Sequence, residues 1–205
     1  MLRSLLQNAS LRARVLERAE EFKLNNKAGN DVWARELLLC QLTANSSFVS
    51  AYLSLMCSWD SLWKGEENEV ALSLKRCGYR FPNLKARFIT KNRHLLPHIR
   101  DMVKPIADED QGKAREYIVK NFIGFGYKEA SHFLRNVGYF DLAIIDRHIL
   151  SFLKTQGLSF NFKTMTKYRY LQMESVLRSI SNALGIDLGI LDLFIWFEET
   201  ETVLK

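Results

Sequence analysis

Residues that interrupt helices are scarce in this sequence. Three prolines and ten glycines are spread over 205 residues, a composition that disfavours an all-β or a low-complexity chain. Apolar residues recur with helical spacing almost throughout, and no convincing run alternates as a strand would. The sequence therefore predicts an all-α fold, and the chain is long enough to bury a substantial core.

Interruptions of the helical periodicity divide the chain into predicted helices. Asp31 is expected to cap the second helix, Pro82 to lie in the first turn of a later one, and Gly138 to end the helix that precedes it. Pro97 and Pro105 bracket a short piece around 99–103. The predicted helices cover residues 2–23, 32–44, 45–56, 68–76, 83–94, 110–121, 127–136, 147–155, 163–184 and 188–203.

Cysteine is also scarce. Cys40, Cys57 and Cys77 are an odd number of thiols without C-x-x-C spacing. We therefore expect neither a disulfide framework nor an iron–sulfur cluster, which needs four closely placed thiolates. Cys40 lies in an apolar run and is expected in the core. No clear set of metal ligands is present, so no metal is assigned to the site.

Long hydrophobic runs are missing too. The uncharged stretches are too short to span a bilayer, and no cleavable signal pattern precedes Arg3, so we expect a cytoplasmic protein without a membrane partner. The net charge is +6 and the pI is about 9.2. A basic balance fits an anionic partner, of which nucleic acid is the commonest, but charge alone is weak evidence.

Two glycines mark the most informative segment, residues 121–146. Gly124 and Gly126 separate the helix predicted to end at 121 from the one predicted to begin at 127. Glycine permits close backbone approach, and unpaired amides at the start of a helix can bind a phosphate group. The segment is either a hairpin that grips a nucleic-acid backbone or a plain turn between helices, and the G-x-G pattern alone favours the turn.

Lys128 and Asp146 are the candidate catalytic pair. Lys128 falls in the first turn of its helix, where the helix dipole disfavours an ammonium group and an acidic residue is usual. It is either a solvated surface lysine or an amine nucleophile. Asp146 precedes Arg147 as an N-cap should. A rigidly capped carboxylate can also stabilise a cationic sugar or shuttle a proton, so the two roles are compatible.

The run from Gly124 to Gly138, followed by Leu142-Ala143-Ile144-Ile145-Asp146-Arg147-His148, resembles the helix-hairpin-helix DNA glycosylase superfamily. It is most similar to the second class of 8-oxoguanine DNA glycosylase/AP lyases, found in archaea and some bacteria. The resemblance extends over most of the chain, including residues 42–45, 80–83 and 196–205. The block from the hairpin to Asp146 is highly specific, and the other segments support it.

The resemblance implies a bifunctional base-excision repair enzyme acting on double-stranded DNA with oxidised guanine. Lys128 matches the nucleophile that attacks C1′, expels 8-oxoguanine and forms a Schiff base, and Asp146 matches the catalytic aspartate. β-Elimination would then nick the strand on the 3′ side. No cofactor is implied, although hairpin carbonyls could hold a structural monovalent cation. A monomer is expected, cytoplasmic and nucleoid-associated in a prokaryote.

For the base pocket, the resemblance points to aromatic stacking and to the C-terminus. Phe81 and Trp196 are the candidates to stack on the extruded base, although Trp196 could instead pack in the core. The α-carboxylate of Lys205 is the candidate acceptor for the purine edge, because 8-oxoguanine carries an N7–H donor where guanine has an acceptor. Arg135 and Arg147 are candidates for DNA phosphates together with Gly124 and Gly126, but either arginine could equally pair with a carboxylate.

The expected architecture is one glycosylase domain of two helical lobes with the active-site cleft between them. We expect the hairpin at about 110–136, one lobe from about 30–100 and the other from 1–25 with 105–205. Two alternatives stay open: a non-catalytic helix-hairpin-helix module that only binds DNA backbone, and a glycosylase for a different damaged base.

Overall fold

The computed structural model describes residues 6–158, 164–200 and 203. Helices with both ends in this part of the chain are α1 (Ala9–Lys27), α2 (Asn30–Thr43), α3 (Phe48–Cys57), α4 (Trp59–Lys64), α5 (Glu67–Arg76), α6 (Pro82–Asn92), α7 (Ile99–Glu109), α8 (Gln111–Asn121), α9 (Tyr127–Asn136), α10 (Arg147–Thr155), α11 (Lys167–Leu184) and α12 (Leu188–Thr200), with a 3₁₀ helix at Arg93–His98. No strand occurs among these residues, so the predicted all-α class is confirmed.

Helix boundaries were predicted best where a cap is strong. The predictions for 127–136 and 147–155 are confirmed at both ends. The helix predicted at 45–56 begins only at Phe48, where the side chain of Ser47 caps it. The predicted cap at Asp31 is wrong, because α2 begins at Asn30 with Gly29 before it. Pro105 lies inside α7, so the short piece expected near it is a full helix.

The chain divides into two compact units. The hairpin unit is Lys27–Phe133, and the terminal unit combines Met1–Asn26 with Leu134–Lys205. Residues 105–133 thus fall in the hairpin unit, whereas we expected them with the two chain ends.

The last carbonyls of α2 all accept hydrogen bonds from donors within the hairpin unit. A helix leaves its last four carbonyls without an intrahelical donor. Here each has one: Thr43 Oγ1 donates to Cys40 O, Lys85 Nζ to Gln41 O, Tyr79 Oη to Leu42 O and Ser46 N to Thr43 O. Beyond this end, Asn45 adopts φ 63°, the left-handed conformation that asparagine tolerates better than most residues. The chain therefore leaves α2 in a fixed direction.

Cys57 and Cys77 form a disulfide in the hairpin unit, with their Cα atoms 6.3 Å apart. The expectation of no disulfide is wrong. The two cysteines lie at the C-terminal ends of α3 and α5, and the sequence separation of 20 residues resembles no motif. Tertiary packing of these helix ends is what pairs them. Cys40 is fully buried and takes no part in the disulfide, as its apolar run predicts.

The terminal unit packs its helices around a different core. Leu11, Val15 and Phe22 of α1 are buried with Leu193 and Phe194 of α12. An apolar stripe at this spacing is what a helix buries against a neighbour. The core thereby joins two segments that are far apart in sequence.

The C-terminal end of α9 is held by hydrogen bonds from α1. Asn25 Nδ2 donates to the Asn136 carbonyl at 3.0 Å, and Asn26 Nδ2 donates to the Val137 carbonyl at 2.8 Å. Gly138 follows with φ 88°, and a Cβ there would lie 3.0 Å from the Phe22 carbonyl oxygen. Glycine is therefore required both by its backbone conformation and by the close approach of α1.

Among the described helices, no single one is long and apolar enough to cross a membrane, and only the pair Lys167–Leu184 and Leu188–Glu198, bent by 92°, meets that length and composition together.

Candidate active site

The hairpin between α8 and α9 is held by side chains from two other helices. Ile123 O accepts from Gln41 Nε2 of α2 and from Asn92 Nδ2 of α6, both at 2.9 Å. Ile123 N donates to Asn92 Oδ1 at 2.9 Å. Gln41 and Asn92 are both buried, and the three bonds themselves are part-buried. The hairpin backbone is thus fixed in the unit that contains it.

Gly124 is the residue that lets the hairpin approach α6. Its φ is 84°, a conformation that L side chains rarely adopt. A Cβ there would lie 2.3 Å from the ring of Phe88, a distance that no side chain tolerates. Gly126 has ordinary φ, and its N–H donates to Glu129 at 3.3 Å. Both glycines are exposed, so their backbone is accessible to a DNA strand.

Lys128 lies in the first turn of α9, directly after this hairpin, and its side chain is half-buried. The amides of a first helical turn have no intrahelical acceptor, and here the side chain of Glu129 accepts from Gly126 N. The nucleophile predicted from the sequence therefore lies at a helix N-terminus, where the backbone favours an anion.

A pocket of about 260 Å³ opens beside the hairpin, inside the hairpin unit. Its walls are aromatic and aliphatic with a few polar groups, which is typical of small-molecule sites. The lining residues are Ala44, Asn45, Phe81, Leu84, Lys85, Phe88, Gly124 and Glu129. The structure therefore brings two of the predicted site residues, Phe81 and Gly124, into one pocket, and Glu129 is the sequence neighbour of the predicted nucleophile.

Lys85 is the unexpected member of this pocket. Its side chain is 3% exposed, and its ammonium donates to the Gln41 carbonyl. Burial lowers the pKa of Lys85 to about 8, the Glu129 carboxylate raises it in part, and the Lys128 ammonium lowers it further. Both charges of α9 thus lie within electrostatic reach of Lys85. The sequence did carry a signal for it, because Lys85 falls four residues before Ile89 and seven before Asn92 on the buried face of α6.

Asp146 caps α10 in the terminal unit. One carboxylate oxygen, Oδ1, accepts from His148 N at 2.9 Å and from Ile149 N at 3.0 Å. The predicted N-cap is thus confirmed. The preceding backbone is held by α11, where Tyr170 Oη donates to Ala143 O at 2.8 Å. A half-buried carboxylate is therefore fixed in position and keeps a second oxygen for other partners.

Trp196 of α12 is half-buried and meets an imidazole from α10. The ring centroids of His148 and Trp196 are 4.4 Å apart with an interplanar angle of 60°. The backbone N–H of His148 also donates to Asp146, so His148 is next to both Asp146 and Trp196 in the terminal unit. Lys128 belongs to the hairpin unit and Asp146 to the terminal unit.

The two arginines predicted to contact phosphate differ. Arg135 is 3% exposed and pairs with Asp192, which is also buried. Its predicted role in DNA binding is corrected accordingly, because a buried cation paired with a carboxylate cannot reach a strand. Arg147 is exposed, and its Nε donates to His148 Nε2 at 3.3 Å. Lys205, the predicted acceptor for the base, lies outside the described residues.

Metal ligands are not grouped in the part of the chain that the structure describes: no three His, Cys, Asp or Glu side chains there could hold an ion. The Ile123 carbonyl already accepts two amide donors, which uses both of its lone pairs. A cation at the hairpin would have to bind other carbonyls.

The family model for 8-oxoguanine DNA glycosylase of the Ogg-HhH type matches residues 15–186. The chain is 55% identical over 205 residues to the 8-oxoguanine DNA glycosylase/AP lyase of Sulfolobus acidocaldarius, with all of both chains covered. It is 53% identical over 208 residues to that of Saccharolobus solfataricus, again covering both chains fully.

Solved structures agree with this match. The 8-oxoguanine glycosylase/lyase of Methanocaldococcus jannaschii, in complex with a 15mer DNA containing 8-oxoguanine, superposes with a TM-score of 0.91 at 38% identity, covering 98% of this chain and 96% of that one. The 8-oxoguanine DNA glycosylase of Thermotoga maritima gives 0.90 at 36% identity, covering 100% and 98%. Full-length similarity in sequence and fold, together with a lysine at the helix that follows the hairpin, leads to one conclusion: the chain belongs to the Ogg-HhH family of 8-oxoguanine DNA glycosylases.

Proposed function

We propose that this protein removes 8-oxoguanine from double-stranded DNA and then nicks the strand at the abasic site. The observation that carries the proposal is the position of Lys128. Its half-buried amine lies in the first turn of the helix that follows the hairpin, in a chain of the Ogg-HhH family. A passive DNA-binding module would give this amine and Asp146 no role.

Lys128 acts as the nucleophile. Its neutral amine attacks C1′ of the damaged nucleotide, the C1′–N9 bond breaks with its electron pair on the base, and the sugar opens to an imine. Proton abstraction from C2′ then expels the 3′ phosphate by β-elimination. Asp146 stabilises the positive charge that develops on the sugar and shuttles protons. Its two backbone donors keep the carboxylate oriented for this task.

The damaged base must leave the helical stack before it can react, which costs a few kcal/mol and requires a receiving pocket. Phe81 and Trp196 are proposed to stack on the extruded base, and the α-carboxylate of Lys205 to accept from its N7–H. The pocket beside the hairpin supports the assignment of Phe81. The partial exposure of the Trp196 indole supports the assignment of Trp196 to the same stacking role.

Backbone phosphates are proposed to bind at the hairpin. The exposed backbone around Gly124 and Gly126 and the first-turn amides of α9 can bind a phosphate without reading sequence. Arg147, an exposed residue of the terminal unit, is proposed as a separate phosphate contact. A monovalent cation would bind hairpin carbonyls other than that of Ile123 and would be structural. Imine chemistry at Lys128 requires no cofactor.

The remaining proposals concern the state of the protein. We propose that it acts as a monomer without a membrane partner, in the cytoplasm, and with the nucleoid in a prokaryote. The two lobes of the glycosylase are proposed to be the hairpin unit and the terminal unit.

Borohydride trapping tests the proposed function directly. We expect the wild-type protein to form a covalent adduct with duplex DNA carrying one 8-oxoguanine opposite cytosine, and not with undamaged or uracil-containing duplexes. Lys128→Gln should abolish the adduct while DNA binding is kept, whereas Lys75→Gln, which removes an exposed lysine from α5, should leave it unchanged.

The outcomes separate the alternatives. Strand nicking retained by Lys128→Gln would overturn the role of Lys128. Binding that is sensitive to salt but indifferent to damage, with no adduct on any duplex, would indicate the passive module. An adduct with another lesion instead would change the substrate. Extending the C-terminus by a few residues should reduce activity only where the Lys205 carboxylate contacts the base.

A further inference from the structure

Lys85 is a buried cation in the wall of the pocket that holds Phe81. Neither the family resemblance nor the chemistry of Lys128 assigns it a role. Buried lysines are rare unless they are paired, so its position invites an explanation. The inference below rests on the proposed function and adds a residue to it.

The hydrogen bonding of Lys85 leaves part of its ammonium unused. An ammonium group has three N–H donors. Within the described residues, the acceptor for Lys85 Nζ is the carbonyl oxygen of Gln41. Two donors therefore remain on a side chain that lines an open pocket.

The charge of Lys85 is not cancelled by its hydrogen bond. The Gln41 carbonyl is neutral and offers only a dipole, and the closest carboxylate influence is that of Glu129. A positive charge in a poorly hydrated site acts more strongly on a bound anion than it would in water. The pocket therefore favours an occupant that carries or develops negative charge.

The pocket also adjoins the nucleophile. Lys128 lies close enough to influence the ionisation of Lys85, and Glu129, its sequence neighbour, lines the pocket. A nucleotide that reacts with Lys128 and loses its base in this pocket would leave that base within reach of Lys85 and Glu129.

A departing purine has the properties that this pocket selects. When the C1′–N9 bond breaks, the electron pair stays on the base and is delocalised onto its carbonyl oxygens. Those oxygens accept hydrogen bonds, and the ring N–H groups donate them. Phe81 and Phe88 contribute aromatic rings to the pocket wall, the kind of side chain on which an extruded base stacks.

We infer that Lys85 is a catalytic residue that donates hydrogen bonds to a carbonyl oxygen of the departing 8-oxoguanine, while Glu129 accepts from a ring N–H of the same base. Lys128 Nζ bonds to C1′ as the C1′–N9 bond breaks, which yields a purine anion and a secondary ammonium on Lys128. The proton of that ammonium neutralises the base, so Lys85 keeps its own proton throughout.

A purely structural role is the competing explanation. Lys85 closes a carbonyl at the end of α2, and losing that bond could shift the chain near Asn45. Such a shift would impair everything the site does. A role toward the leaving base would impair only the step in which a base leaves.

Single-turnover kinetics on two substrates separates these roles. The first is duplex DNA with 8-oxoguanine, scored for free base, and the second is the same duplex with a preformed abasic site, scored for strand nicking. The variants are Lys85→Met, Lys85→Gln, which keeps a neutral donor for the Gln41 carbonyl, and Lys91→Met, which removes an exposed lysine from the same helix.

We expect Lys85→Met and Lys85→Gln to slow base release about 100-fold, the loss typical of one donor to a developing anion. Nicking of the abasic duplex should stay at the wild-type rate, which also reports correct folding. Lys91→Met should behave as wild type on both substrates.

Three results would overturn the inference: equal losses on both substrates, recovery of base release by Lys85→Gln, or no loss at all. A wild-type protein inactive on 8-oxoguanine DNA but active on the abasic duplex would instead overturn the proposed substrate, and that arm is measured first.

Discussion

Lys85 of the hairpin unit and Arg135 of the terminal unit, both buried, are satisfied in opposite ways. In the hairpin unit, Lys85 donates to a backbone carbonyl, and the half-buried Arg93 donates to the carbonyls of Leu62 and Gly65 at 3.0 and 2.6 Å. In the terminal unit, Arg135 pairs with the carboxylate of Asp192. A backbone carbonyl accepts the hydrogen bond but does not neutralise the positive charge of the donor, whereas a carboxylate does both.

This difference separates the tasks of the two units. Uncancelled positive charge in the hairpin unit suits the binding of phosphates and of a departing anionic base. The terminal unit uses its ion pair for structure, and its fixed carboxylate, Asp146, is the group proposed to stabilise a developing cation. Four predictions test the contrast, in decreasing order of expected effect.

Arg135→Met should destabilise the protein most. The change breaks the buried ion pair with Asp192, and breaking a buried pair typically costs about 3–5 kcal/mol, measured as the free energy of unfolding in urea. Arg178→Met is the matched control, because its pair with Asp141 is exposed and should contribute at most about 1 kcal/mol. Equal losses in the two variants would show that the Arg135 pair is not the structural anchor of its unit.

Replacing Cys57 and Cys77 by serine should lower the free energy of unfolding by about 3 kcal/mol, the value expected for a loop of this length. The disulfide constrains only the hairpin unit, so activity at moderate temperature should persist. Thermal unfolding with and without reductant checks the effect on the wild type. A wild-type melting temperature that does not change when reductant is added would contradict the predicted stabilisation by the disulfide.

Lys85 should make stability depend on alkaline pH. Burial lowers its pKa to about 8 in the folded protein against about 10.4 when unfolded, so between these values the unfolded chain binds more protons. Stability then rises with pH, by about 2 kcal/mol between pH 7 and pH 10. The measurement is the difference in unfolding free energy between wild type and Lys85→Met across that range, in which other groups cancel. A difference independent of pH would refute it.

Asp146→Asn should change stability least and activity strongly. Asparagine caps helices about as well as aspartate, so the loss should stay below about 1 kcal/mol. Removing the charge should slow base release about 100-fold, as expected when a general acid–base group is lost. Unfolding and single-turnover rates are measured on the same preparation. A large loss of stability would assign Asp146 a mainly structural role.

Local signals explain why the sequence predicted some elements and not others. The helices that begin at Tyr127 and Arg147 follow a glycine hairpin and a capping aspartate, which act within one turn. Helix Trp59–Lys64 spans six residues, too few for periodicity to show. Pro105 suggested a break that the neighbouring helices override.

Partners distant in sequence explain the rest of the site. Lys128 and Asp146 were predicted because their motif is contiguous. The pairing of Arg135 with Asp192, 57 residues away, leaves no trace in a linear pattern, and the same holds for the disulfide. A lysine on the buried face of α6 was a visible signal, but its pocket required the fold.

The two anchors on the Ile123 carbonyl have a consequence for the thermodynamics of DNA binding. A loop that must become ordered on binding loses conformational entropy, and that loss weakens the complex. Here Gln41 and Asn92 already hold the hairpin before any strand arrives. Association at the hairpin should therefore proceed as rigid docking, with its free energy dominated by counterion release from the phosphates rather than by the ordering of the protein.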